Sequence, residues 1–198
     1  MKENIFIFGS SSVLAKNFIF KFDNVVNIIC ISRNVNENFN KSKIKNKFNL
    51  DLSSRTSYEE IKTISNKIKL IYKEGVKNTF ILFSWAGGSR KRSGDEFDFN
   101  WSNNMNIISN FLLISNICLP DKIIFTSSAG AVYKSNSDQL AKEIDIPMPT
   151  SRYGEQKLLA EKMIKLFCSN KEIKLAILRI SAVYGFDPRY SDQGVINK

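Results

Sequence analysis

The segment Tyr153-Gly154-Glu155-Gln156-Lys157 sets a phenol and an amine four residues apart. On a helix, positions i and i+4 share one face, so both side chains can enter one pocket. A cation beside a phenol favours the phenolate and draws its pKa down from about 10. The result is a base usable near neutral pH. The spacing alone arises by chance in many helices, where a packed helix start and a snorkelling lysine are the plain alternative. Its surroundings narrow the choice. The apolar run Lys122–Thr126 leads into Ser127-Ser128-Ala129-Gly130-Ala131-Val132-Tyr133, and a loop with Pro147 and Pro149 then delivers Tyr153. Ser128 ends that strand 25 positions before Tyr153 and can bring a hydroxyl beside the phenol; Ser127 is the other candidate donor.

The elements that must hold these groups alternate. Strands are predicted over 4–8, 25–31, 46–50, 78–84, 122–127 and 174–180, and helices over 13–21, 56–73, 100–117 and 152–168. Short apolar strands alternating with amphipathic helices argue for an α/β domain, a doubly wound parallel sheet of Rossmann-like type spanning residues 1–198. Polar stretches 87–100 and 134–151 follow the fourth and fifth strands, at the carboxyl edge where such sheets take ligands. The polar stretch 33–47 follows the second.

The first strand runs into Gly9-Ser10-Ser11-Ser12-Val13-Leu14-Ala15. Gly9, Ser12 and Ala15 have the spacing of a dinucleotide-binding turn, in which small residues allow a tight turn and close approach to a pyrophosphate. Only one of the three is glycine, and a serine-capped helix start reads almost equally well. Gly9, Ser11, Ser12 and Leu14 are the candidate contacts here. At the end of the second strand an NAD site would carry Asp or Glu for the ribose 2′-OH; Arg33 stands there instead. Arginine can face a 2′-phosphate and stack on adenine, which favours NADP over NAD, although a solvated arginine in a basic loop with Lys41, Lys43 and Lys45 is the alternative. Asp51 and Leu52 are candidates for the adenine edge, with a turn-forming aspartate equally open. Ala86 and Gly87 after the fourth strand, and Asn104 on the next helix, complete the candidate cofactor site. The basic loop Ser89-Arg90-Lys91-Arg92 reads as a solvated loop before a phosphate site.

Composition bounds the alternatives. The formal charge is +10, from 29 Lys and Arg against 19 Asp and Glu. The basic residues are spread along the chain among abundant Asn and Ile, unlike a nucleic-acid footprint. Histidine is absent, which excludes His-based triads and His-dependent metal sites; no metal is expected. Cys30, Cys118 and Cys168 are isolated and suit a reducing cytoplasm better than a disulfide frame. No stretch approaches a membrane span or a cleavable leader, so the expectation is a cytoplasmic protein that engages neither membrane nor nucleic acid.

Together these pieces resemble the extended short-chain dehydrogenases/reductases, the NAD-dependent epimerase/dehydratase family. Tyr153-Gly-Glu-Gln-Lys157-Leu-Leu-Ala-Glu161 is similar to its Y-G-x-x-K-x-x-x-E helix, and Ile124–Ser128 with Ala131-Val132-Tyr133 to its strand and V-Y turn. Glu143, Pro147 and Pro149, the Asn104–Asn110 helix, and Arg179-Ile-Ser-Ala-Val-Tyr-Gly185 match further segments. The resemblance implies a nucleotide-sugar substrate and an NAD(P)-dependent oxidoreductase or epimerase, expected in surface polysaccharide biosynthesis. Tyr153 would be the base, Lys157 would lower its pKa and bind the nicotinamide ribose, and Ser128 would hydrogen-bond the reacting oxygen. Ala129 and Gly130 stand where dehydratases of the family carry Asp-Glu, which points to epimerisation or reduction. Family members continue beyond Lys198 into a substrate lobe, so the lobe is expected to be largely absent here, with low turnover by this chain. A dinucleotide-binding form with little or no turnover, and a small reductase of a non-sugar substrate, are the other expectations. Apolar surface meant for the lobe would favour self-association, such as a homodimer.

Overall fold

The computed structural model describes residues 3–35, 44, 46–87, 94–134, 140–181 and 183. Lys41, Lys43, Lys45, the Ser89–Arg92 loop and the segment after Val183 lie outside the described residues. The elements run β1 (Glu3–Phe8), α1 (Val13–Phe22), β2 (Asn27–Ser32), β3 (Asn46–Asn49), α2 (Tyr58–Lys69), β4 (Lys77–Leu82), α3 (Gly94–Cys118), β5 (Lys122–Ser128), α4 (Ala129–Val132), α5 (Arg152–Asn170) and β6 (Lys174–Ile180). The six strands form one sheet in the order β3-β2-β1-β4-β5-β6, parallel at every pairing. This is the expected doubly wound architecture. Its order reverses between β1 and β4, so the crevice above their carboxyl ends is where such a sheet takes a ligand.

Strand alternation builds two cores. Phe6, Phe8, Ile29, Ile31, Phe80, Leu82, Ile123 and Phe125 face α2, α3 and α5, whose Ile61, Phe111 and Ile164 are fully buried against them. The alternate residues Ile5, Ile7, Ile28, Cys30 and Ile81 face Ala15 and Ile19 of α1. Side-chain period 2 in buried parallel strands requires both faces to be covered.

Three boundaries differ from the sequence reading for local reasons. The helix predicted over 56–73 is shorter, because Ser57 and Glu60 form a capping box and Ile71 and Tyr72 pack in the turn beyond it. β4 stops at Leu82, because the amides of Phe83 and Ser84 both turn to the Phe8 carbonyl. α3 starts at Gly94 rather than 100, and the four-residue α4 after Ser128 was not expected. Leu140, Ile144 and Ile146 on the approach to α5 stand more than 80% exposed.

Candidate active site

Above the switch point the chain leaves β1 at Gly9 with φ +83°, and the Gly9 amide donates to the Ile31 carbonyl at 2.8 Å. A Cβ on Gly9 would lie 2.5 Å from the Ser84 nitrogen. Glycine is therefore demanded here by two converging loops, the exits of β1 and β4, as well as by its left-handed backbone. Between them opens a groove of about 610 Å³. Its walls include Gly9, Ser11, Ser12, Arg33, Asp51, Leu52, Trp85, Ala86 and Gly87. Eight of the expected cofactor contacts thus share one cleft. Ser12 turns its hydroxyl back to cap α1, accepting from the Ala15 amide at 3.2 Å, as the serine-capped helix start has it.

Four expected contacts, Leu14, Asn104, Tyr153 and Lys157, lie outside the groove lining. Leu14 lies one step into α1, half-buried and outside the groove lining. Asn104 is fully buried behind the groove. Its side chain accepts from the Ala86 amide at 2.8 Å, donates to the Ala86 carbonyl at 3.1 Å and donates to Gln156 Oε1 at 2.7 Å. An amide side chain carries a donor and an acceptor, so it can satisfy both backbone groups of one residue. Asn104 therefore clamps the groove wall. At the far end, Arg33 lies 3.9 Å from Asp51, and Asp51 Oδ1 accepts from the amide and hydroxyl of Ser53. Asp51 is thus a turn former, and it partly neutralises the cation proposed for a 2′-phosphate.

The Ser, Tyr and Lys groups are brought together by the end of β5 and the start of α5. Ser151 caps α5, accepting from the Gly154 amide at 3.1 Å, so Tyr153 sits in the first helical turn. Gly154 has no room for a side chain: a Cβ would lie 2.0 Å from the Ala131 carbonyl oxygen of α4. This contact packs the start of α5 against the segment that follows Ser128. Tyr153 and Ser128 are hydrogen-bonded through their side chains. Ser127 points away, its hydroxyl donating to Glu161 Oε1 at 2.5 Å, so Ser128 is the serine that meets the phenol.

The electrostatics depart from expectation. Burial raises the Tyr153 pKa, and the Ser128 hydrogen bond only opposes that rise. Lys157 is buried, donates to the Thr126 carbonyl at 2.9 Å and places Nζ 3.9 Å from the Trp85 ring centroid. It lies 5.9 Å from the Tyr153 ring centroid. Desolvation pulls the amine down to about 7, with Glu161 acting against it. The ammonium is thus directed at Trp85 and the strand backbone, and the Tyr153 pKa is raised by burial rather than lowered by Lys157.

One turn further, Glu161 is buried and takes Arg179 Nη2 at 2.7 Å as well as Ser127. Arg179 also donates to the Tyr133 hydroxyl. This network ties β5, α5 and β6 together beneath the site. Sequence reasoning missed Trp85 and Gln156. An aromatic residue just past a strand end was the available signal for the first; nothing marks a buried glutamine in advance.

Comparison with known proteins follows the same lines. The chain matches the NAD dependent epimerase/dehydratase family over residues 5–198. A Methanocaldococcus jannaschii protein named "Putative UDP-glucose 4-epimerase" is 44% identical over 80 residues, covering 39% of this chain and 26% of that protein. The UDP-glucose 4-epimerase of Thermus thermophilus, in complex with NAD, superposes with a TM-score of 0.78 at 18% identity, over 98% of this chain and 59% of that one. The Bacillus cereus UDP-glucuronic acid 4-epimerase complex with NAD gives 0.71 at 17% identity, over 92% and 57%. The chain therefore spans under two thirds of the length of these proteins. Among the described residues no helix is long and apolar enough to cross a membrane.

Proposed function

We propose, from the premise that this chain belongs to the NAD-dependent epimerase/dehydratase family, that it binds a nicotinamide dinucleotide and interconverts a hydroxyl and a ketone on a UDP-sugar. The observation that carries this reading is the hydrogen-bonded Ser128–Tyr153 pair with buried Lys157 one turn on, beside a groove that ends at Trp85. The groove fits the cofactor: Gly9 and Gly87 narrow the backbone at positive φ, and Arg33 and Asp51 offer polar groups at the opposite end. The dinucleotide supplies the hydride acceptor and donor.

The chain's own residues handle the proton. Tyr153 Oη takes the proton of the substrate hydroxyl as its carbon is oxidised, and returns it on reduction. The Ser128 hydroxyl donates to the same substrate oxygen. Lys157 stabilises the phenolate once turned toward it, since a cation favours the ionised phenol. Ala129 and Gly130 carry no group able to remove or protonate a leaving water, so the chemistry stops at oxidation and reduction, and epimerisation is the outcome that fits. NADP is expected to bind at least as well as NAD, through Arg33. A cytoplasmic setting and a role in surface polysaccharide assembly complete the proposal.

Calorimetric titration with NAD+ and NADH tests the binding, and NADH absorbance after addition of UDP-glucose tests the chemistry. Tyr153→Phe should bind dinucleotide as before and lose roughly 10²–10⁴-fold in the oxidation rate, the range for removal of a general base. Failure of the chain to bind either dinucleotide, or an undiminished rate in the variant, would overturn the reading.

A further inference from the structure

We propose that Trp85 is a positioning residue for Lys157: its indole face is the resting seat of the ammonium, which leaves that seat when a dinucleotide enters the groove. The second half of this statement rests on the dinucleotide reading above; the first does not. Three rings lie near Nζ, at 3.9 Å for Trp85, 5.0 Å for Phe125 and 5.9 Å for Tyr153. A cation is drawn to the negative face of an aromatic ring, most strongly to indole and most strongly where water is excluded. Lys157 is only 4% exposed, so its charge has few other partners. The Trp85 Nε1 is itself buried without a hydrogen-bond acceptor among the described residues, so no bond from its own N–H directs the ring.

The seat is built from both sides of the site. Trp85 precedes Ala86, whose amide and carbonyl are both held by Asn104. Asn104 in turn donates to Gln156, the residue next to Lys157. Phe125 packs on Trp85 with centroids 6.1 Å apart. The indole and the lysine are thus fixed relative to each other by α3, α5 and β5 together. Trp85 also lines the groove, so a ligand there meets the same ring that holds the amine.

Among the described residues, the groups around Lys157 come from four elements. From α5 come Tyr153 and Glu161; from β5, the Thr126 carbonyl and Ser127, whose hydroxyl is given to Glu161. From β6, Arg179 is bound to Glu161 and offsets its charge. From α3 comes neutral Asn104, which donates to neutral Gln156, the neighbour of Lys157 on α5. With Glu161 occupied, burial governs the amine, whose proton affinity falls from 10.5 to about 7.

Fluorescence tests the seat directly. The chain has two tryptophans, and Trp101→Phe leaves Trp85 as the sole reporter. Trp85 emission should step with pH at a midpoint well below the 10.5 of a free lysine. Lys157→Met should remove the step. Lys157→Arg, charged throughout, should remove it too while holding emission at the acid-side level. Saturation with ADP-ribose, which carries the second ribose without the nicotinamide, should move the midpoint by about one pH unit or more, a tenfold change in proton affinity. In the unaltered chain, the Lys157 ε-methylene protons should resonate upfield through the indole ring current and return to ordinary lysine positions in Trp85→Leu. A step that survives Lys157→Met, no step at all, or ordinary ε-proton shifts would each overturn the seat. ADP-ribose that binds without moving the midpoint would overturn the release. ADP-ribose that fails to bind counts against the dinucleotide reading and leaves the seat to be decided by the lysine variants.

Discussion

Lys157→Met should stabilise the protein in acid and destabilise it in alkali. The amine's proton affinity falls from 10.5 in the unfolded chain to about 7 in the fold, chiefly through desolvation. Between those values the unfolded state binds more protons than the native state, so stability rises with pH across the window. Below about 7 the lysine is charged in both states and the full cost of burying it is present. Above about 10.5 it is neutral in both and the cost is gone. At 1.36 kcal/mol per unit the depression corresponds to about 5 kcal/mol. The methionine also leaves the Thr126 carbonyl without its lysine donor, a loss of about 1–3 kcal/mol at any pH. The variant should therefore exceed the parent by about 2–4 kcal/mol at pH 6, and fall below it by about 1–3 kcal/mol near pH 10.5. The decisive quantity is the swing of about 5 kcal/mol between the two ends. Urea denaturation followed by circular dichroism at both pH values measures it. A difference between the two proteins that stays constant within about 0.5 kcal/mol, as at an uncoupled surface site, would refute the argument.

Two further outcomes follow from the geometry. Arg33→Ala should weaken NADP by roughly tenfold, about 1.4 kcal/mol, and leave NAD within about twofold, because Arg33 is exposed and already shared with Asp51; equal losses for both cofactors in calorimetry would end the case for a 2′-phosphate contact. Gly154→Ala should destabilise by about 3 kcal/mol, since its Cβ meets backbone at the Ala131 carbonyl rather than a side chain that can move; an unchanged thermal midpoint would show that α4 yields without cost.

The sheet and the pairing of Ser128 with Tyr153 were legible in the residues. Strand and helix periods are local, and a parallel α/β pattern leaves few topologies. The Tyr-Lys spacing places both side chains on one face of α5 whatever surrounds them. Gly9, Ser11, Ser12, Arg33, Asp51, Leu52, Ala86 and Gly87 were likewise found as one cleft, because loops at a carboxyl edge converge where the strand order reverses. Where each side chain turns within that frame was not legible. Ser12 capping α1, Asp51 closing its own turn and Asn104 gripping Ala86 are choices among competing hydrogen bonds. Those choices depend on which partner lies within about 3 Å, and that is known only after packing. The charge balance of the site is of the same kind. From the sequence, Lys157 reads as a cation that acidifies Tyr153. In the fold it is dried, set against Trp85 and bonded to Thr126. The direction of both pKa shifts follows from burial, a property of the surrounding elements that no spacing of two residues can express.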